Sequence, residues 1–204
     1  MMIFIPVFAA IATYMITSVN LSVILSLEIY LKDIRSCGSG NPGFTNFKRN
    51  FGSKYAWVIL VFDLLKAAVP VLAFSCVFEF MYGCGQLGAA YTGLFALLGH
   101  NFPLWHGFKG GKGFLVYMSV IWFVDWRAGL VAVTVLCLLL MLTKYMSLST
   151  MCAVLSTPVT LIFTSTESLW VIIICAVQAL FIVARHKENI KRLYKHTESK
   201  FHFR

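Results

Sequence analysis

The positions of the basic residues are the feature that most restricts the fold of this chain. The chain of 204 residues contains 17 Lys and Arg, and all but Lys66 and Arg127 lie in four short segments: 32–54, 109–112, residue 144 and 185–204. Long apolar stretches separate these segments. An excess of Lys and Arg marks the cytoplasmic loops of membrane proteins, because such loops resist translocation. The pattern therefore predicts a multi-pass membrane protein whose basic loops share one side.

The overall composition excludes a water-soluble globular domain. Hydrophobic residues make up 59% of the chain and charged residues only 12%, with a mean hydropathy of +0.81. A soluble domain of this size could not bury so much apolar surface. The net charge of +9 is divided among four loops, so orientation in the lipid bilayer explains it more simply than nucleic-acid binding, and we expect no nucleic-acid partner. An alternative is that the basic loops form a face that binds anionic substrates or lipid headgroups.

The apolar stretches predict an all-α integral membrane protein of about seven transmembrane helices, forming a single domain over residues 1–204. We expect the spans at residues 3–31, 55–82, 84–100, 113–126, 128–144, 149–165 and 168–185. The first stretch is too long for the core of a signal peptide and is predicted to be retained. Basic loops follow the first, third, fifth and seventh spans, which predicts an N-terminus outside and a cytoplasmic C-terminus.

Cysteine and histidine spacing gives no indication of a metal site. The six cysteines form no C-x-x-C pair, and His100 and His106 lie on either side of Pro103. In apolar segments cysteine behaves as a small hydrophobe. We therefore expect neither a disulfide nor a metal ion.

Asp63 and Lys66 are ionisable residues inside the second predicted span. They are three residues apart, so they share one face of a helix and can pair. Charges inside a span are costly and usually face a polar interior. Two interpretations remain: a buried ion pair that joins helices, or a Lys66 side chain that reaches an anion site at the cytoplasmic end.

The first basic segment contains the string D-I-R-S-C-G-S-G-N-P-G-F-T-N-F-K-R, from Asp33 to Arg49. Glycines such as Gly38 and Gly40 allow successive backbone N–H groups to converge on an anion. Hydrogen-bonding side chains and a bidentate cation flank them: Ser39, Asn41, Thr45, Asn46 and Arg49. The alternative is a plain turn between helices, but such a turn needs fewer glycines and donors.

The second basic segment reads G-H-N-F-P-L-W-H-G-F-K-G-G-K-G, from Gly99 to Gly113. It resembles a phosphate-binding loop but not a Walker A motif, because the spacing differs and Gly113 replaces the Ser or Thr that would hold Mg²⁺. ATP hydrolysis is therefore not predicted. Lys112, with Gly110 and Gly111 before it, is expected at a helix N-terminus that favours anions. His100 is either a site residue or a structural hydrogen-bonding residue.

The third and fourth basic segments supply hydroxyls, an amide and an imidazole. Ser147 and Ser149 follow Lys144, although they would serve equally well as caps of the next span. The tail continues the helical spacing, which places Arg185, Asn189, Arg192 and His196 on one face. His186 lies three residues before Asn189, and its alternative is a solvated surface position.

Together these segments closely resemble the membrane acyl-phosphate:glycerol-3-phosphate acyltransferases of bacterial phospholipid synthesis. The matching strings are G-S-G-N-P-G-F-T-N-F-K-R, D-L-L-K, G-H-N-F-P with F-K-G-G-K-G, and R-H-K-E-N-I-K-R-L with T-E. They occur in the family's order and cover nearly the whole chain. The departures from the family pattern are Phe44, Phe114 and Leu115 in place of small residues, and Ala67 and His196 in place of glycines.

The resemblance implies transfer of a fatty acyl group from acyl phosphate to the 1-hydroxyl of glycerol 3-phosphate, on the cytoplasmic side of the cell membrane and without a cofactor. It implies catalytic roles for Ser39, Lys112, His186 and Asn189. Ser39, Lys112 and either Ser147 or Ser149 would hold the acyl phosphate. Arg49, His186 and Asn189 would hold glycerol 3-phosphate. Further binding residues implied are Gly38, Gly40, Asn41, Thr45, Asn46, Lys66, His100, Gly110, Gly111, Arg185 and Glu198.

Several points remain open at the level of sequence. His186 is the candidate side chain whose reference pKa suits a general base near neutral pH, but a substrate phosphate is an alternative proton acceptor. A transporter or channel for organic phosphate anions would explain the spans and Lys66, although a permeation path needs polar groups through its whole depth. An acyltransferase with a different acceptor is a further alternative. The sequence predicts neither the preferred acyl chain nor the oligomeric state.

Overall fold

The structure, a computed structural model, describes residues 3–165 and 167–201. Within these ranges the chain forms α-helices and two short 3₁₀ turns but no strand, which confirms the all-α prediction; the predicted domain 1–204 also includes residues outside them. The helices are α1 (Phe4–Thr17), α2 (Leu21–Tyr30), α3 (Phe44–Phe51), α4 (Ser53–Tyr82), α5 (Gly85–Asn101), α6 (Phe114–Val124), α7 (Trp126–Thr143), α8 (Met146–Thr164), α9 (Leu169–Arg185) and α10 (Lys187–Tyr194).

The predicted first span is two helices rather than one. The chain leaves α1 after Thr17, and Asn20 begins α2 by accepting a hydrogen bond from Val23 N at 3.2 Å. The break would expose backbone carbonyls inside the bundle. Lys66 Nζ donates to the carbonyl oxygen of Val19 at 2.8 Å, which satisfies one of them. Hydropathy alone conceals the break because the residues on both sides are apolar.

Other boundaries differ from prediction because of local capping. Asp125 accepts from Arg127 N at 2.8 Å and starts α7 two residues early. Only Lys144 and Tyr145 separate α7 from α8, so the third basic segment is a junction and not a loop. The predicted continuous tail helix is also wrong: α9 and α10 meet at 57° on either side of His186.

The outer surface of the bundle is apolar. Phe4, Leu142 and Phe163 are exposed by 74%, 79% and 83%, which would be unfavourable in water but suits contact with lipid. Among the described residues, length and composition identify four stretches that can cross a bilayer, namely Phe4–Tyr30, α4, α7 and α8, or five if α9 and α10 form one span. Helices α5 and α6 have 17 and 11 residues, so helix length accounts for fewer spans than the seven predicted.

Helix α5 packs at the centre of the bundle because of its glycines. A Cβ at Gly99 would lie 2.4 Å from the carbonyl oxygen of Tyr14 in α1, and one at Gly93 would lie 2.3 Å from Val120 in α6. Such approaches are too close for any other residue. The close packing fixes the end of α5, where His100 and Asn101 begin the second basic segment.

Candidate active site

A cavity of about 650 Å³ opens where the four basic segments meet. It lies between α3, the segments that follow α2 and α5, the start of α8, and α10 with its tail. Twelve of the predicted site residues line it: Gly38, Ser39, Asn41, Thr45, Asn46, Arg49, His100, Lys112, Ser147, His186, Asn189 and Glu198. Residues far apart in the sequence are thus brought to one site.

The first wall of the cavity is the loop from Cys37 to Gly43, which Asn46 holds in shape. The Asn46 side chain donates to the carbonyl oxygen of Cys37 at 2.9 Å and accepts from Ser39 N at 3.1 Å. Gly38 has φ +53°, and a Cβ there would lie 2.5 Å from Asn46 Oδ1. Glycine is therefore required for the turn that presents Ser39 to the cavity.

Helix α3, which was not predicted, carries the first cation. Its apolar face buries Phe47 completely, and this face orients Arg49 two residues later toward the cavity. In the described part of the chain, no Asp or Glu lies within ion-pairing distance of Arg49. A guanidinium without a carboxylate partner suits bidentate binding of a phosphate or carboxylate.

The second wall is the glycine–lysine loop, residues 107–113. Gly110 N and Gly111 N donate to the carbonyl oxygens of Asn101 and His100 at 3.1 and 3.2 Å. A Cβ at Gly110 would lie 2.1 Å from the His100 carbonyl oxygen, so the loop lies directly on the end of α5. Arg185 Nη2 fastens the other side by donating to the Gly111 carbonyl at 3.1 Å.

Lys112 projects from this loop into the cavity, just before the N-terminus of α6. Its Nζ donates to Asn189 Oδ1. The pKa of Lys112 is lowered to about 8, mainly by burial and in part by the positive charge of Arg192, while Glu198 opposes the shift. The ammonium is therefore charged near neutral pH but poorly compensated, as expected where an anion binds.

Glu198, on the tail after α10, organises the third wall. Its carboxylate accepts from Ser147 Oγ, Asn189 Nδ2 and Arg192 Nε, each at 2.7 Å. Burial alone would raise the pKa of Glu198, but these three hydrogen bonds outweigh it and lower the pKa. The tail is fastened beyond the cavity by Phe201 N, which donates to the Lys144 carbonyl at 2.7 Å.

His186 lies at the bend between α9 and α10, where it is almost fully buried. Its Nδ1 contacts the Ile182 carbonyl oxygen at 2.8 Å, which leaves Nε2 as the other polar atom of the ring. Burial lowers the pKa of His186 to about 4, and the charge of Lys112 adds to the shift. The imidazole is therefore neutral near pH 7.

The family model for glycerol-3-phosphate acyltransferases matches residues 7–196 of this chain. A glycerol-3-phosphate acyltransferase from Francisella tularensis subsp. tularensis is 38% identical over 189 residues, which cover 92% of this chain and 88% of that protein. One from Francisella philomiragia is equally similar, with the same identity and coverage. The chain belongs to the glycerol-3-phosphate acyltransferase family.

Two crystal structures of PlsY, an integral membrane glycerol 3-phosphate acyltransferase, share its fold. The glycerol 3-phosphate form has a TM-score of 0.86 and 30% identity, covering 97% of this chain and 96% of that one. The lysophosphatidic acid form has a TM-score of 0.82 and 29% identity, covering 97% and 95%. This family member is thus a multi-pass membrane protein, as the charge pattern predicted.

Six predicted site residues do not line the cavity, and the structure gives most of them other contacts. They are Gly40, Lys66, Gly110, Gly111, Ser149 and Arg185. Lys66 Nζ lies 2.8 Å from Asp63 Oδ1 and is buried with it, so the ion-pair interpretation describes its position. Ser149 is buried and donates to the Tyr145 carbonyl at 3.0 Å, so of these two alternatives Ser147 is the one that lines the cavity.

Five polar residues that line the cavity were not among the predicted site residues: Asn50, Asp63, Thr150, Arg192 and Ser199. Arg192 had a signal in the sequence, since it follows Asn189 by three residues on the same helix face. Asn50 follows Asn46 by four residues and donates to its side chain at 3.1 Å. Thr150 carries no distinguishing signal, because its direction depends on where α8 begins.

Proposed function

We propose that this protein transfers a fatty acyl group from acyl phosphate to the 1-hydroxyl of glycerol 3-phosphate. The hydroxyl oxygen attacks the acyl carbonyl carbon, the bond from that carbon to the phosphate oxygen breaks, and lysophosphatidic acid and phosphate leave. Family membership supports the acceptor. The observation that carries the proposal is one cavity that combines a cationic end with an apolar end.

The cationic end suits two phosphates. Arg49, Lys112 and Arg192 line it, and of these only Arg192 forms an ion pair among the described residues. Ser39 adds a hydroxyl donor on one side, and Ser147, whose hydroxyl donates to Glu198, lines the other side. We assign acyl phosphate to Ser39, Lys112 and Ser147, and glycerol 3-phosphate to Arg49, His186 and Asn189, with Lys112 between the two.

The apolar end suits the acyl chain. Phe114, Leu115 and Leu136 line both this cavity and an adjoining groove of about 450 Å³ between α6, α7 and α4. A donor seated with its phosphate at Lys112 would extend its chain along this groove. A permeation pathway for free phosphate anions would not require the apolar groove that adjoins the cavity.

The proton of the attacking hydroxyl goes to a phosphate oxygen of the substrate in our proposal. The second ionisation of a phosphate monoester lies near pH ~6, so it is a stronger base than a His186 whose pKa is lowered to about 4. His186 would then orient glycerol 3-phosphate as a neutral imidazole. A bound dianion would raise the pKa of His186, which makes the kinetic test of this residue informative.

We further propose the topology predicted from charge: seven spans, an outside N-terminus, and a cavity on the cytoplasmic side of the cell membrane. Short α6 is compatible with a span if the glycine–lysine loop is recessed, since its 11 residues rise only about 16 Å. A cysteine in place of Ser199 should react with a membrane-impermeant thiol reagent only from the cytoplasmic side. Labelling of Ser199→Cys from outside intact cells would overturn this topology.

The function is tested by measuring phosphate release from palmitoyl phosphate by the purified protein, with and without glycerol 3-phosphate. We expect release that depends on glycerol 3-phosphate and an equal yield of lysophosphatidic acid. Phosphate release that does not change with glycerol 3-phosphate but increases with another alcohol would indicate a different acceptor. No release, combined with phosphate flux into proteoliposomes, would indicate a transporter.

A further inference from the structure

The apolar groove beside the cavity has a defined direction. Its inner end is formed by Phe114, Leu115 and Leu136, which also line the cavity, and Met118 and Val133 follow. Asp125 alone joins α6 to α7. Gly129 lies against Trp122 near this link, and Leu136 lies with Phe114 far from it, so the two helices run antiparallel and the groove follows both. It therefore leads away from Lys112 toward the α6–α7 turn.

Trp122 stands at the far end of this groove. It lies eight residues after Phe114, which corresponds to about 12 Å along a helix. One leaflet of the hydrocarbon core is about 15 Å deep. The distance from the cavity to Trp122 is therefore similar to the depth that one acyl chain of a membrane lipid occupies.

Gly129 of α7 supports one face of the Trp122 ring, which is 41% exposed. A Cβ built on Gly129 would lie 2.7, 2.9 and 3.1 Å from Cδ2, Cε3 and Cε2 of the indole. The ring thus lies against bare backbone and has no room to move further toward α7. On the α4 side of the same groove, Ser119 Oγ donates to the Leu64 carbonyl at 2.8 Å, which ties α6 to α4 and limits widening of the groove.

We propose that Trp122, held by Gly129, sets the upper limit on the length of the acyl chain that this protein transfers efficiently. This inference rests on the proposed function, since it names the chain-length class of the donor. A chain that ends before Trp122 packs fully in the groove. A longer chain meets the indole and must bend out into lipid, so it loses contacts that favour the reactive position of its phosphate.

The test is a series of lauroyl, myristoyl, palmitoyl and stearoyl phosphate, assayed with the full chain in lipid nanodiscs. Trp122→Ala should raise kcat/KM for stearoyl relative to myristoyl phosphate by about tenfold, the discrimination expected when a few methylenes gain or lose a packed site. Gly129→Ala should shift the ratio in the opposite direction, because its methyl group pushes the indole into the groove. Trp126→Ala is the matched control, since Trp126 is 62% exposed and does not line the groove.

The outcomes separate the two proposals. Active protein whose chain-length profile is the same in wild type and Trp122→Ala would overturn the role of Trp122 while leaving the acyltransferase function intact. An equal shift in Trp126→Ala would also overturn it, because the effect would then be general. No turnover of any donor by wild-type protein would overturn the proposed function and this inference with it. If Gly129→Ala fails to fold, Trp122→Ala still decides the question.

Discussion

Two lysines lie within the helical bundle of this protein, and the surroundings compensate their charges differently. Lys66 has the Asp63 carboxylate at 2.8 Å and the Val19 carbonyl at 2.8 Å. Lys112 has the neutral amide of Asn189, and the charge of Arg192 opposes its own. A buried charge that is fully paired has its charge satisfied within the fold, whereas one that lacks a counterion suits an anionic ligand. The contrast separates a structural lysine from a candidate catalytic one.

The largest expected effect is on stability, in Lys66→Met. Removing one partner of a buried ion pair leaves the Asp63 charge uncompensated, at a cost of about 3–5 kcal/mol. We expect little folded protein in membranes, and a lower midpoint of thermal unfolding in detergent. The double variant Asp63→Leu/Lys66→Met should recover most of this loss, because replacing both charges by apolar groups is often nearly neutral. A stable Lys66→Met protein that lacks activity would instead support the interpretation that Lys66 belongs to the anion site.

The second effect is on catalysis, in Lys112→Ala. Loss of a cation that offsets transition-state charge should cost on the order of 3 kcal/mol or more, about a hundredfold in rate. The protein should remain folded, since Lys112 makes no structural ion pair among the described residues. Lys109→Ala, on the exposed part of the same loop, is the control. Near-normal turnover in Lys112→Ala would make the loop merely structural.

His186→Asn tests the role of the neutral imidazole. An amide retains hydrogen bonding but cannot act as a base. If His186 positions glycerol 3-phosphate, the substitution should mainly raise KM for that substrate, by about tenfold or more for a hydrogen bond to a charged group. A loss confined to kcat, together with loss of an acid limb in the pH profile, would identify His186 as the base. Unaltered kinetics would exclude both roles.

The pH dependence should report Lys112. Its pKa is lowered to about 8, so the ammonium is present below that pH and is lost above it. We expect kcat/KM to fall as pH rises through about 8, by about tenfold at one unit above the pKa. Lys112→Arg should have lower maximal activity, because a guanidinium does not replace a point charge, but this alkaline fall should be absent. Persistence of the fall in Lys112→Arg would assign it to another group.

The sequence predicts best what depends on composition and spacing. The glycines and donors around Ser39, Lys112 and Asn189 indicated the candidate site, and these residues line one cavity in the structure. The contacts of the Lys66 side chain could not be predicted, because they include the Val19 carbonyl. That carbonyl lies at the break in the first predicted span, which hydropathy does not detect.

The choice between Ser147 and Ser149 was also unpredictable. Residues two apart on a helix point to different faces, so the choice depends on α8 starting at Met146. Helix α3 was missed because its eight residues are too few for a reliable periodic signal. It exists through packing of Phe47 and not through its own propensity. Both failures are cases in which tertiary contacts decide local structure.

The smallest expected effect concerns the tail that brings Glu198 beside Lys112. His196 has φ +54°, where the family usually has glycine. A non-glycine residue in this left-handed region costs about 1 kcal/mol, of which the extra freedom of glycine in the unfolded chain cancels about half. His196→Gly should therefore raise the thermal midpoint by only about 1–2 °C for a chain of this size. His196→Ala retains the Cβ and should give no gain. Equal thermal midpoints for the Gly and Ala variants would mean that the left-handed backbone at His196 causes no net strain. The position of Glu198 near Lys112 would then not depend on the residue type at position 196.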